Sequence, residues 1–296
     1  MGDTRNCTGI GICMKPDSLI DYHLHTAVTI DGTMSEEQAC ERAIRSGIRE
    51  IAFTNHIMHT EPEYTVSKAA FREHWEQVQV CQERYPELAI RLGLEVDYYE
   101  GRETEIAATI DQYEAAIGRP IDLILGSVHH LNGVFFSNKT DAPALYKNKD
   151  IGLLYHDYFI LATKAVQSHL FDVMAHPDLI KKHVGELSPR LPFYQYRDAV
   201  EPFIDALLTC GVGLEVNTKG YKLRVAEAYP SKEMLSLYLS KTKELGKEPV
   251  ITLGSDAHDV GGVGRFISEG ASMLIELGQD SVMSFKGHKP AVFKIE

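Results

Sequence analysis

Residues 21–33 read DYHLHTAVTIDGT, with His23 and His25 two positions apart and Asp31 six positions further on. Two-residue spacing scatters side chains around a helix but places them on one face of a strand. The stretch therefore reads as the end of a strand that turns two metal-competent imidazoles to one side.

Six more short apolar runs follow the first, 19–25 (LIDYHLH): 50–56 (EIAFTNH), 89–95 (AIRLGLE), 121–128 (IDLILGSV), 172–176 (DVMAH), 213–217 (GLEVN) and 249–256 (PVITLGSD). Helix-like stretches lie between them. One opens with Ser35 and Gln38 in the relation of a capping box and closes at Gly47; others span roughly 67–84, 102–116, 151–168, 196–209 and 231–245. The last begins after Pro230, with Ser231 as N-cap, and ends at Gly246. Repeated βα units imply a parallel sheet, open or closed into a barrel. An open sheet gathers its site at one switch point, whereas a barrel collects polar groups from the carboxyl ends of many strands.

This chain has the second pattern. His23 and His25 end the first run, His56 the second and Glu95 the third; His129 follows the fourth, His176 ends the fifth, and Asp256 with His258 closes the seventh. The sixth ends in Glu215, Val216 and Asn217, which suits a substrate contact. With Asp31 these make nine metal-competent groups, too many for one ion, and a cluster of two or three fits the count. Imidazole with carboxylate and no cysteine suits Zn, Fe or Mn. His59, His74, His130, His156, His169, His183 and His288 fall mostly in helices or remote loops; substitution of His74 is expected to be close to neutral. Strand alternation leaves open whether His129 or His130 of GSVHH faces the site.

Composition narrows the function classes. An apolar share of 44% and a charged share of 24% are those of a soluble globular protein, and no apolar run reaches the roughly 18 residues of a membrane span. The net charge of −12 disfavours nucleic acid and anionic membrane as partners and favours small substrates. The five cysteines include no C-x-x-C, and the opening MGDTRNCTGIGICMK does not resemble a secretory signal, so a cytoplasmic location is expected. Residues 1–18 read as an extension of unknown role and 19–296 as one domain.

The HxH of His23 and His25, the distant His56, Glu95, the G-S-x-H ending at His129, the A-H-P-D around His176 and the terminal G-S-D-A-H resemble the PHP (polymerase and histidinol phosphatase) superfamily. Within it the similarity is to the L-histidinol-phosphate phosphatases, and it includes LEVNTKGYK at 214–222, YPSKEML at 229–235 and FKGHKP at 285–290. The resemblance implies a distorted seven-stranded (βα) barrel, TIM-barrel-like, with three divalent metal ions at the carboxyl ends of its strands. It assigns His23, His25, Glu95 and Asp256 to one ion. Glu95 would bridge to a second, held by His129 and His176, and Asp31, His56 and His258 would hold the third. Asp31 stands where many superfamily members have His, a feature of the phosphatases. The implied reaction is hydrolysis of L-histidinol phosphate in histidine biosynthesis.

Glu95, Asp256 and His258 are the candidate catalytic residues, with Asp256 a candidate proton donor. Asn217, Lys182, Lys219, Lys222 and Arg224 are candidates for holding the small phosphorylated substrate. The similar proteins read N-T-x-G-L-R-K where this chain reads NTKGYKLR, so Tyr221 and Lys222 replace Leu and a phosphate-gripping Arg. Lysine supplies the charge without the bidentate fork. The alternatives are a PHP phosphoesterase of other esters, including diesters, a metal-dependent amidohydrolase and a non-catalytic PHP module. The module is expected to have lost ligands, whereas this chain keeps nine.

Overall fold

Leu19–Leu24 form β1, the first of seven parallel strands in the computed structural model, which describes residues 19–295. The extension expected at 1–18, with Cys7 and Cys13, lies outside the described residues. The barrel continues through β2 (Ile48–Ile57), β3 (Ala89–Asp97) and β4 (Leu123–Ser127). After β4 comes a small hairpin, β5 (His130–Leu131) with β6 (Val134–Phe135); β7 (Val173–Met174), β8 (Gly213–Asn217) and β9 (Ile251–Gly254) then complete the wall. The order is β1-β2-β3-β4-β7-β8-β9 and every pairing is parallel.

At the carboxyl ends, the His25 amide donates to the Ala257 carbonyl at 2.9 Å and the Ala257 amide to the His23 carbonyl at 3.2 Å. These bonds join the last strand's end to the first and nearly close the barrel. They also set DYHLH beside GSDAH, 230 residues away in sequence.

Helices α1 (Glu36–Arg45), α2 (Lys68–Arg84), α3 (Glu103–Ile117), the short α4 (Ala142–Tyr146), α5 (Ile151–Gln167), α6 (Arg197–Cys210) and α7 (Lys232–Glu244) cross between strands. The capping box at Ser35 is complete: Ser35 accepts from the Gln38 amide, and the Gln38 side chain accepts from the Ser35 amide. Ser231 caps α7. Sequence periodicity missed α4, the β5–β6 hairpin and everything after β9: α8 (Ile267–Glu276) and the hairpin of β10 (Ser281–Lys286) with β11 (Lys289–Lys294). The fifth wall strand is shorter than expected, because His176 takes φ +28° and turns the chain off the sheet.

Candidate metal centre

Three strands carry the same device, two polar residues flanking one apolar residue: His23-Leu24-His25, Glu95-Val96-Asp97 and Glu215-Val216-Asn217. Alternation turns Leu24, Val96 and Val216, all fully buried, away from the face their polar neighbours share. Parallel register sets His56 of β2 directly beside Glu95 of β3.

Glu95 is the hub. Its Oε2 lies 3.1 Å from His23 Nε2, 3.4 Å from His25 Nε2 and 3.0 Å from His56 Nδ1. Its Oε1 lies 2.8 Å from His176 Nε2 and 3.5 Å from His129 Nε2. Beside it, Asp31 Oδ2 is 3.2 Å from His56 Nε2 and 3.1 Å from His258 Nε2, and Asp256 Oδ1 is 3.6 Å from His25 Nε2 and 3.4 Å from His258 Nδ1. Two donors that each sit about 2.1 Å from one ion are separated by about 3.0–3.4 Å, so these spacings are those of shared ligation.

The donor chemistry agrees. Both ring nitrogens of His25, Nδ1 of His56 and of His176, and Oδ1 of Asp31 are buried without a hydrogen-bond partner. Leaving such atoms unsatisfied costs about 1–3 kcal/mol each, a cost that a ligated cation removes. Burial, then the adjoining His258, His56 and His23, hold the His25 imidazole well below its usual range, in the neutral form that ligates. Glu95 stays ionised: against burial, His56, His23 and His129 hold it well below the carboxylate range. The residues fit divalent metal ions. His25 and Glu95 each belong to more than one potential ligand group, with His25 also lying beside His56 and His258, so the groups overlap more than the three sets the resemblance implies.

Neighbouring side chains fix the ligands. Glu215 Oε1 holds His23 Nδ1 at 2.7 Å, and its Oε2 accepts the His176 amide at 2.7 Å and the Asn217 side-chain amide at 3.1 Å. Ser127 donates to Glu95. Gly254 is required here, since a Cβ would stand 2.1 Å from Glu215 Oε1 and 2.6 Å from His23 Cβ. His176 and Asp256 both hold positive φ, +28° and +52°, a strain concentrated at the site.

All nine proposed ligands come together at one end of the barrel. His129 takes the inward place, while His130 turns outward to Asp97 and Glu61. Of the substrate candidates, Lys182 and Lys219 line the cavity above the cluster. Lys219 Nζ is 2.8 Å from Asp256 Oδ1; burial and the Lys219 charge pull Lys182 down to about 8. The other three do not line that cavity. Asn217 is fully buried behind the ligands, bonded to Glu215 and to the Lys219 amide, so its role is bracing. Lys222 lies in a crevice beside Arg265 that adjoins the cavity, since Lys219, Asp256 and His258 line both. Arg224 is exposed against Glu186 and the Gly185 carbonyl.

Sequence reasoning passed over Asp97, which continues β3 two residues beyond Glu95; the same i, i+2 spacing that singled out His23 and His25 marks it. It also passed over the cavity's apolar wall of Met58, Tyr64, Phe135, Leu179 and Leu223.

A nearly closed seven-stranded βα barrel with imidazoles and carboxylates converging at its carboxyl end defines a class of barrels built around a metal site. The chain belongs to the PHP domain family, whose pattern its residues 21–219 match. It is 31% identical over 268 residues to a Deinococcus radiodurans protein named "Probable histidinol-phosphatase", covering 89% of this chain and 95% of that one. It is 26% identical to the histidinol-phosphatase of Bacillus subtilis, covering 82% and 95%. Its fold matches that of a histidinol phosphate phosphatase from Lactococcus lactis, crystallised with zinc, L-histidinol and phosphate. The TM-score there is 0.77 at 22% identity, over 93% of this chain and 99% of that one.

Proposed function

We propose that this chain is a metal-dependent phosphomonoesterase that hydrolyses L-histidinol phosphate to L-histidinol and phosphate, using three divalent ions of which zinc is one. The observation that carries the reading is Glu95, whose two oxygens face imidazoles from five different positions in the barrel wall. The name of the 31% identical relative supports the substrate. The Lactococcus lactis complex supports zinc.

Bound metal ions would activate the attacking water and neutralise the phosphate dianion. The chain's own residues do the rest. Lys219 and Lys182 reach the equatorial phosphate oxygens from the mouth. Met58, Tyr64, Phe135 and Leu223 seat the leaving group and exclude bulk water. Asp256 is held well below the carboxylate range because Lys219, His23 and His258 outweigh its burial. It therefore arrives ionised and serves as ligand; the Lys219 ammonium beside it is the better donor to the leaving alkoxide.

One observation favours a second reading, a PHP phosphatase of another small ester: Lys222, in the crevice that adjoins the cavity, stands at the position of the phosphate-gripping Arg and lacks its bidentate fork. Phosphate release from L-histidinol phosphate should be compared with that from sugar, amino-alcohol and nucleotide monophosphates. The proposed reading requires kcat/KM to be highest for L-histidinol phosphate, and equal or better turnover of an unrelated ester selects the second.

A further inference from the structure

His130 lies outside the metal cluster, yet its contacts lead back to it. Its Nδ1 is 3.0 Å from Asp97 Oδ2 and its Nε2 3.0 Å from Glu61 Oε1. Both nitrogens face carboxylates, so both donate. The other oxygen of Asp97 lies 2.6 Å from His129 Nδ1. Asp97 is fully buried and shared between the two adjacent histidines, one facing the cavity and one facing away. The His130 ring is also packed flat on Phe135, with centroids 4.7 Å apart and planes at 14°, which fixes its orientation.

We propose that Glu61, His130 and Asp97 form an orienting relay for His129, so that His130 is a positioning residue of the metal centre. It rests on the metal-site reading above. An ionised carboxylate on Nδ1 requires the proton there and leaves the lone pair on Nε2, the atom aimed at Glu95. Asp97 alone could swing about its Cβ or draw the His129 proton at a poor angle. His130 holds its second oxygen from the opposite side, and Glu61 holds His130. The hydrogen-bonded route from His130 to the metal ligand therefore runs through Asp97, beside an apolar contact through Phe135, which stacks on His130 and meets the His129 ring edge-on.

That route predicts a non-additive pattern. Zinc affinity of the full chain is measured by competition with a chromophoric chelator for the wild type, Asp97→Asn, His130→Ala, His130→Gln and the Asp97→Asn/His130→Ala double variant. Asp97→Asn should weaken the weakest-held zinc about 10- to 100-fold, the range for losing a ligand's orienting partner. His130→Ala should weaken it several-fold. His130→Gln, whose amide can still donate to Asp97, should recover most of that loss. The double variant should bind no worse than Asp97→Asn alone.

Unchanged affinity in His130→Ala, or losses that multiply in the double variant, overturns the relay while leaving the metal site intact. Wild-type protein that binds no zinc overturns the metal reading itself. If Asp97→Asn does not fold, the alanine and glutamine variants at 130 decide: a loss common to both shows bulk packing rather than orientation.

Discussion

At the carboxyl ends of the barrel strands six imidazoles surround three carboxylates, Asp31, Glu95 and Asp256. At the opposite end a single imidazole, His288 in the turn between β10 and β11, stands between two carboxylates. Its Nδ1 is 2.8 Å from Asp172 Oδ2 and its Nε2 2.9 Å from Glu114 Oε1. The same carboxylates accept the backbone amides of Ile124 and Ile121, so the C-terminal hairpin is tied to the starts of β4 and β7 and to the end of α3. Both ring nitrogens of His288 have a carboxylate acceptor, which makes an ordinary structural ion pair complete in itself. At the mouth, by contrast, buried ring nitrogens of His25, His56 and His176 go unpartnered, and the groups gathered there could hold metal ions. The ratio of imidazole to carboxylate, together with the orphaned atoms, separates a ligand cluster from a staple.

Glu95→Gln breaks the comparison most severely. The amide keeps the shape but offers one oxygen donor instead of two and removes the charge that offsets the metals. We expect turnover of L-histidinol phosphate to fall by about 10³-fold or more, with fewer ions per chain by elemental analysis. Wild-type metal content and activity in this variant would show that the imidazoles at the mouth, like the one at the base, form a closed structure.

Between the two ends lies a third use of histidine. His74 on α2 is buried, its Nδ1 2.5 Å from Glu36 and its Nε2 3.3 Å from the Asn55 amide. Asn55 in turn accepts the Thr26 amide at 2.9 Å, at the start of the loop that carries Asp31. Burial and these bonds argue against the expectation that His74 is replaceable: His74→Ala takes one partner each from the buried Glu36 carboxylate and the Asn55 side-chain amide, which keeps its bond to Thr26 Oγ1. The substitution should cost about 2–3 kcal/mol of stability in urea unfolding, with a smaller loss of activity than Glu95→Gln. An unchanged unfolding midpoint would mean that water replaces the ring without penalty.

The sequence revealed strand ends well because the metal chemistry sits there: His and carboxylate side chains that terminate apolar runs are visible without any knowledge of packing. His74 was also readable, since it occupies the buried stripe Phe71, His74, Val78 and Cys81 at helical spacing. What the pattern did not carry was orientation. Whether Lys219 or Lys222 faces the cavity depends on a single 3₁₀ turn, and whether His129 or His130 does depends on where β4 ends. Asp97 was lost because the third run was ended at Glu95, one alternation too early. The C-terminal hairpin was visible only as a motif, FKGHKP, because its role is fixed by Asp172 and Glu114, 116 and 174 residues distant.

The smallest effect is at the base of the barrel, and pH exposes it. The Asp172 and Glu114 hydrogen bonds outweigh partial burial and raise His288 to about 9. A folded-state pKa raised above the unfolded value of about 6.5 stabilises fully below pH 6.5, and that contribution is lost as pH rises through 9. Because the side chain is 36% exposed, solvent screening reduces the effect to about 1–2 kcal/mol. His288→Gln should therefore lower the melting temperature by a few degrees at pH 6, and the gap from wild type should close by pH 10. Activity per folded molecule at pH 7 should be unchanged, since His288 lies at the far end of the barrel from the ligands. A gap independent of pH would mean that the ring holds the hairpin by packing rather than as an imidazolium, and the contrast between the two ends would then rest on orphaned atoms alone.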